Sequence, residues 1–188
     1  MANPLLQVIV ASTRPGRVGG PVADWFFAAA EQEGSFDVEL VDLKAVDLPL
    51  LDEPNHPRLR SYTHDHTKAW SETIDRADAF VFVMPEYNYG FNAAVKNAVD
   101  FLFHEWGHKP VSFVSYGGVS GGLRAVQMFK QVVTTVGMYP IAAAVTVPMV
   151  AKSIHDGVFQ PSELVANSVG PLLAELRALT DAVKPLRS

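Results

Sequence analysis

Three short segments combine residue types that suit a phosphorylated, planar ligand. The first is Ser12-Thr13-Arg14-Pro15-Gly16-Arg17-Val18-Gly19-Gly20, with two hydroxyls, two arginines and three glycines. It opens onto a segment with helical spacing, so its backbone N–H groups stand at a helix N-terminus, which favours negative charge. Arginine adds a charge-assisted fork and glycine lets the backbone approach closely. The second is Pro85-Glu86-Tyr87-Asn88-Tyr89-Gly90-Phe91-Asn92, which sets stacking surface beside hydrogen-bonding groups. The third, Tyr116-Gly117-Gly118-Val119-Ser120-Gly121-Gly122, has four glycines that bring N–H groups up to a ligand. Read one at a time, the first also matches an ordinary glycine-rich turn with solvated arginines, and the aromatics of the second also suit closing a core, though neither is the favoured reading. Together they describe a site with a phosphate end and a planar end, the shape of FMN.

Familiar motifs fail on inspection. The first loop has neither the Gly-Lys-Ser/Thr of a P-loop nor the G-x-G-x-x-G of a dinucleotide fold, although Asp42 stands where a ribose-binding acid would. Gly118-Val119-Ser120-Gly121-Gly122 matches a nucleophile elbow, but Ser120 lies several residues past its strand, and no acid separates it from His155. His104-Glu105-Trp106-Gly107-His108 matches H-E-x-x-H, yet Gly107 and Pro110 break the helix that chemistry needs, so a solvated helix end is expected there. His64 and His66 form a pair without partners. No metal site is expected.

Elements that would position these loops are legible as five apolar runs, Leu5–Ala11, Phe36–Val41, Ala79–Met84, Val111–Ser115 and Ile141–Val147. Most are apolar throughout, as in strands covered on both faces. Helical spacing appears at Val22–Gln32, Lys68–Arg76, Ala93–Phe103 and Leu123–Val136, and at Ser162–Val183 with a break at Gly170-Pro171. The segment 44–66, with three prolines and three histidines, shows no periodicity. Alternating strands and helices predict a single doubly wound α/β domain, a five-stranded parallel sheet of order 2-1-3-4-5 with helices on both faces. Trp106, Phe101 and Phe103 are candidates for a dimer interface.

The chain has 188 residues, 48% hydrophobic and 19% charged, and a formal net charge of -5. That balance offers no basic field for nucleic acid. The absence of cysteine suits a reducing compartment. The N-terminus lacks a basic leader region, and the run 141–150 is too short to span a membrane. A cytoplasmic protein is expected.

Pro85-Glu86-Tyr87-Asn88-Tyr89-Gly90, with Lys96-Asn97-Ala98-Val99-Asp100 after it, resembles the signature of the NADPH-dependent FMN reductases, which include quinone and azo-compound reductases of flavodoxin-like fold. The resemblance covers most of the chain from Val8 to Val147. It implies that Ser12, Arg14, Val18 and Gly19 surround the FMN phosphate. It implies that Pro85, Glu86, Tyr87, Asn88 and Tyr89 line the isoalloxazine, and that Ser115, Gly117 and Gly118 reach its pyrimidine edge. Arg17 replaces a common Ser or Thr, and either adds a phosphate contact or turns to the cofactor entrance. Ala11 stands where the family often has Gly, and Phe91-Asn92 lacks its usual proline. The activity implied is ping-pong hydride transfer from NADPH or NADH to a small-molecule acceptor, with no obligatory catalytic side chain, in a homodimer or homotetramer. The rival implied by the fold alone is a flavodoxin-type electron carrier, whose phosphate loop favours Thr and Ser over arginine.

Overall fold

Strands β1 (Leu5–Val10), β2 (Asp37–Asp42), β3 (Ala79–Pro85) and β4 (Pro110–Tyr116) run parallel in the order β2-β1-β3-β4. The computed structural model describes residues 3–187, so Met1 and Ala2 of the N-terminal stretch lie outside it. Register places Ile9 opposite both Val41 and Phe82, and Phe82 opposite Phe113. Because side chains alternate along a strand, these all-apolar runs feed two separate cores. Val8, Val81 and Val114 pack with Phe26 of α1 (Gly19–Glu33), while Ile9, Phe82 and Phe113 pack with residues of the other face. That second face holds α3 (Asp65–Asp75), α4 (Ala93–Asp100) and α5 (Leu123–Thr135), with a four-residue α2 (Leu43–Val46) after β2. The predicted doubly wound architecture and strand order are present.

The fifth strand position differs from the expected continuous Ile141–Val147. It is split into β5 (Tyr139–Pro140) and β6 (Val145–Val147), both paired to β4. The cause is a carboxylate: Glu175 accepts from the backbone N–H groups of Ala142 and Ala143 at 3.1 and 2.9 Å. Ser112 then donates its hydroxyl to the Ala143 carbonyl. Backbone groups satisfied this way need no ladder.

The terminal helix breaks at Ser168, between α6 (Glu163–Asn167) and α7 (Val169–Val183), two residues before the expected Gly170-Pro171. Pro171 sits in the first turn of α7, where a missing N–H costs no bond. The helix expected to reach Phe103 stops at Asp100, and His104–Trp106 forms a short 3₁₀ turn. A hairpin of β7 (Ile154–His155) and β8 (Val158–Phe159) escaped the periodicity, although its Asp156-Gly157 turn, with both φ positive, is a known hairpin signal.

Trp106 and Phe101 are fully buried against Trp70, Phe80 and His66, which corrects their reading as interface residues. Glu105, expected at a solvated helix end, is enclosed. It accepts from Tyr62 at 2.9 Å and Ser71 at 2.6 Å, and it pairs with Arg60 at 3.3 Å. The segment 44–66 is therefore fastened rather than free, with no periodicity because polar contacts do the fastening. Asn97 clamps it by accepting from Leu51 N and donating to Pro49 O.

Glu53 closes the same segment by accepting from the N–H groups of Thr63 and His64. Burial works to raise its pKa, but those N–H donors outweigh it and the carboxyl is held down at about 2. A depressed folded-state pKa gives stability that is present above the ordinary value and is lost as pH falls through the folded one. Glu53→Gln is expected to flatten the acid limb of stability between about pH 4.5 and about pH 2. Urea unfolding at several pH values checks this, and an unchanged limb would contradict it.

Candidate active site

In a parallel sheet of this order, the chain leaves β1 and β3 toward opposite faces, which opens a crevice at their carboxyl ends. All three loops meet there. The first turns at Arg14-Pro15-Gly16-Arg17, where Arg17 N–H donates to Arg14 O and Gly16 takes the positive φ of 68° that such a turn requires. Arg17 then folds back. Its guanidinium forks onto the Asp42 carboxylate and donates to the Ser12 carbonyl at 2.6 Å, so it pins the loop to the end of β2. Asp42 also accepts from Lys44 N–H at the start of α2. Burial works to raise the Asp42 pKa, but the Arg17 fork and the Lys44 N–H prevail and keep it ionised. Arg14 stays exposed, and among the described residues its side chain's one hydrogen bond is a long 3.5 Å contact to Gly16 O.

Val18 and Gly19 open α1, whose first turn has neither a side-chain cap nor an acidic residue. Its N–H groups are thus open to an anion. Buried Ser12 places its hydroxyl 3.2 Å from that of Tyr87, joining the first loop to the second.

The second loop is a tight hairpin. Tyr87 and Gly90 exchange two backbone hydrogen bonds of 2.9 Å around Asn88 and Tyr89, both at positive φ (49° and 71°). Asparagine tolerates that region, whereas tyrosine is strained in it. Tyr87 is 40% exposed and Tyr89 65%, and Arg124 lies over the Tyr89 ring at 4.1 Å. Pro85 ends β3 in the core, opposite Tyr116. Glu86 turns its carboxylate to the start of α5, accepting from Arg124 N at 3.1 Å and its guanidinium at 2.9 Å. Burial would raise its pKa, but the Ser120 hydroxyl, Arg124 and the Ala125 N–H hold it down. Sequence reading missed this cap, as it missed Asn92, which donates to the Ala11 carbonyl at 2.7 Å and so ties the second loop to β1.

The third loop is braced from behind. Gly117 N–H donates to Val147 O, and Met149 and Val150 N–H donate to Gly118 O and Gly117 O. No sequence signal marked that segment. Gly118 faces open space, while Ser115 is enclosed with no hydrogen-bond partner for its hydroxyl among the described residues. Tyr116 also escaped notice as a site residue. With Ser12, Arg14, Val18, Tyr87 and Gly117 it lines a recess of about 160 Å³. That is below the roughly 300–1,000 Å³ of a pocket that swallows a whole ligand, so it suits one end of a flavin and leaves the rest outside. Residues, charge and size fit a phosphate.

This fold and site define a flavodoxin-like protein with a small recess beside the uncapped start of α1, at the strand-order reversal. The model of the NADPH-dependent FMN reductases matches residues 4–152, and the chain belongs to that family of oxidoreductases, which use FMN and NAD(P)H. It is 41% identical over 174 residues to an NAD(P)H-dependent FMN reductase of Schizosaccharomyces pombe, covering 90% of this chain and 86% of that one. It is 27% identical to an NADPH azoreductase of a Bacillus species, covering 97% of each. Among solved structures, the flavoenzyme NAD(P)H:(acceptor) oxidoreductase of Paracoccus denitrificans superposes with a TM-score of 0.74 at 20% identity, covering 96% of this chain and 98% of that one. That likeness shows the fold.

Gly122 carries the third loop's turn at φ 88°, and a Cβ there would fall 2.8 Å from Tyr116 N and Ser115 Cβ. Gly122→Ala is expected to cost about 1–3 kcal/mol, the range for a residue forced into such a conformation. Gly118→Ala, which meets nothing within 4 Å, should stay within about 0.5 kcal/mol of the parent. Paired urea melts decide, and equal losses would contradict the turn assignment.

Proposed function

We propose that the protein passes hydride from NADPH or NADH, through FMN held by the three loops, to a small-molecule acceptor such as a quinone, an azo compound or free flavin. Donor and acceptor would use one surface in turn, a ping-pong scheme. FMN, when bound, supplies a store for two electrons that takes and returns hydride. The chain supplies orientation and a fixed field. Ser12, Arg14, Val18 and Gly19 would hold the phosphate, with Arg17 keeping their loop in shape through Asp42. Pro85, Glu86, Tyr87, Asn88 and Tyr89 would border the ring, with Tyr87 and Tyr89 leaving one face for a second flat molecule. Ser115, Gly117 and Gly118 would border its pyrimidine edge. No side chain needs to give or take a proton at the ring.

The observation that carries this reading is the small anion recess at the uncapped start of α1, beside a hairpin that holds two exposed tyrosines. The test is the absorbance spectrum of the FMN-loaded protein before and after anaerobic NADPH or NADH. Flavin bands that bleach within mixing time are expected. Bound flavin that stays oxidised would contradict the reductase reading and point to a flavodoxin-type carrier.

We also propose that a second copy covers the exposed side chains beside this site, Tyr89, Leu123 and Met128, in a homodimer or homotetramer. The apolar area they leave in water supports this. Light scattering on the eluting protein should give a multiple of 20.5 kDa, and a monomer at micromolar concentration would contradict it.

A further inference from the structure

Tyr116 ends β4 on the face that carries Val114 and packs toward α1. The residue is 4% exposed, and its hydroxyl has no hydrogen-bond partner among the described residues. An enclosed polar group left unpartnered costs about 1–3 kcal/mol, so its presence calls for a reason. The hydroxyl rests against Gly19, the first residue of α1, where any Cβ would overlap it. Gly19 has no positive φ, so the glycine is required by the phenol rather than by the backbone turn. Ser12, Arg14, Arg17 and Tyr87 line the same recess as Tyr116. A side chain from the sheet therefore reaches the uncapped helix start from below, at the recess where arginine and serine approach from the loop.

We propose that the Tyr116 hydroxyl is a ligand of the FMN phosphate, donating its hydrogen to a phosphate oxygen and selecting the phosphorylated flavin over riboflavin. This rests on the FMN reading above. A hydroxyl donating to an ionised phosphate makes a short, charge-assisted bond, which resolves the orphaned group. Burial pushes the phenol's pKa up, so at neutral pH it keeps the proton it must donate. Without the phosphate, the same hydroxyl is a liability. Tyr116→Phe keeps the ring and removes only that atom.

The experiment titrates cofactor-free wild type and Tyr116→Phe with FMN and with riboflavin, by flavin fluorescence, and records the thermal midpoint of each protein without ligand. For the variant, FMN Kd should rise about 10- to 100-fold, the range for a lost hydrogen bond to a charged group. Riboflavin Kd should not move, and the ligand-free midpoint should hold or rise. Gly19→Ala, which displaces the hydroxyl from the other side, should weaken FMN in the same way, and adding Tyr116→Phe to it should change little further. A wild type that favours FMN beside a Tyr116→Phe protein that favours it equally would overturn the Tyr116 assignment alone. So would a variant that weakens both flavins together or loses ligand-free stability, as a purely structural tyrosine would. A wild type that binds neither flavin would overturn the cofactor reading, and this assignment with it.

Discussion

Everything at the site depends on β1 being sandwiched between β2 and β3 in a parallel sheet buried on both faces. Val8 and Val10 must serve the α1 face while Ile9 serves the other, and the same alternation runs through Val81, Phe82 and Val83. Helices are drawn to both faces to cover those side chains, and the chain leaves the neighbouring strands β1 and β3 in opposite directions. The crevice between them is a by-product of burying two cores. Its floor is the carboxyl ends of β1, β3 and β4, where the ladder runs out and backbone groups need other partners.

Those partners shape the loops. Asn92 takes the Ala11 carbonyl, Arg17 takes the Ser12 carbonyl, and Glu86 N–H goes to Tyr116 O. The Asn92 and Glu86 contacts cross from one loop or strand end to another while Arg17 folds the first loop onto itself, so the three loops form a connected rim rather than three separate turns. Two acids, Asp42 and Glu86, are spent on holding that rim and are kept ionised by their donors. Arg14 is left for a ligand, on an acidic chain whose overall field would not attract one. An anion at this rim would thus be held locally, by short-range groups.

The strands were legible because burial on both faces leaves unbroken Val, Ile and Phe runs, and their order followed from the flavodoxin-like arrangement expected for them. The loops were legible because glycine, arginine and hydroxyl residues cluster at strand ends for few other reasons. What escaped was long-range polar bonding. Glu175 splits the last strand from 33 residues away, and Glu105 is fixed by Tyr62 and Ser71 from 43 and 34 residues away, pairings no local pattern records. Tyr116 escaped for a different reason. A tyrosine closing an apolar strand reads as core, and its placement against Gly19 is set by the fold rather than by any local pattern.

The central claim is that these three loops, and no other part of the surface, hold FMN. Hydrogen–deuterium exchange of the protein with and without FMN tests it most directly. The account predicts slowed exchange confined to residues 12–20, 85–91 and 117–122. Slowed exchange elsewhere with those segments unaffected, for instance along 44–66 or α7, would contradict it.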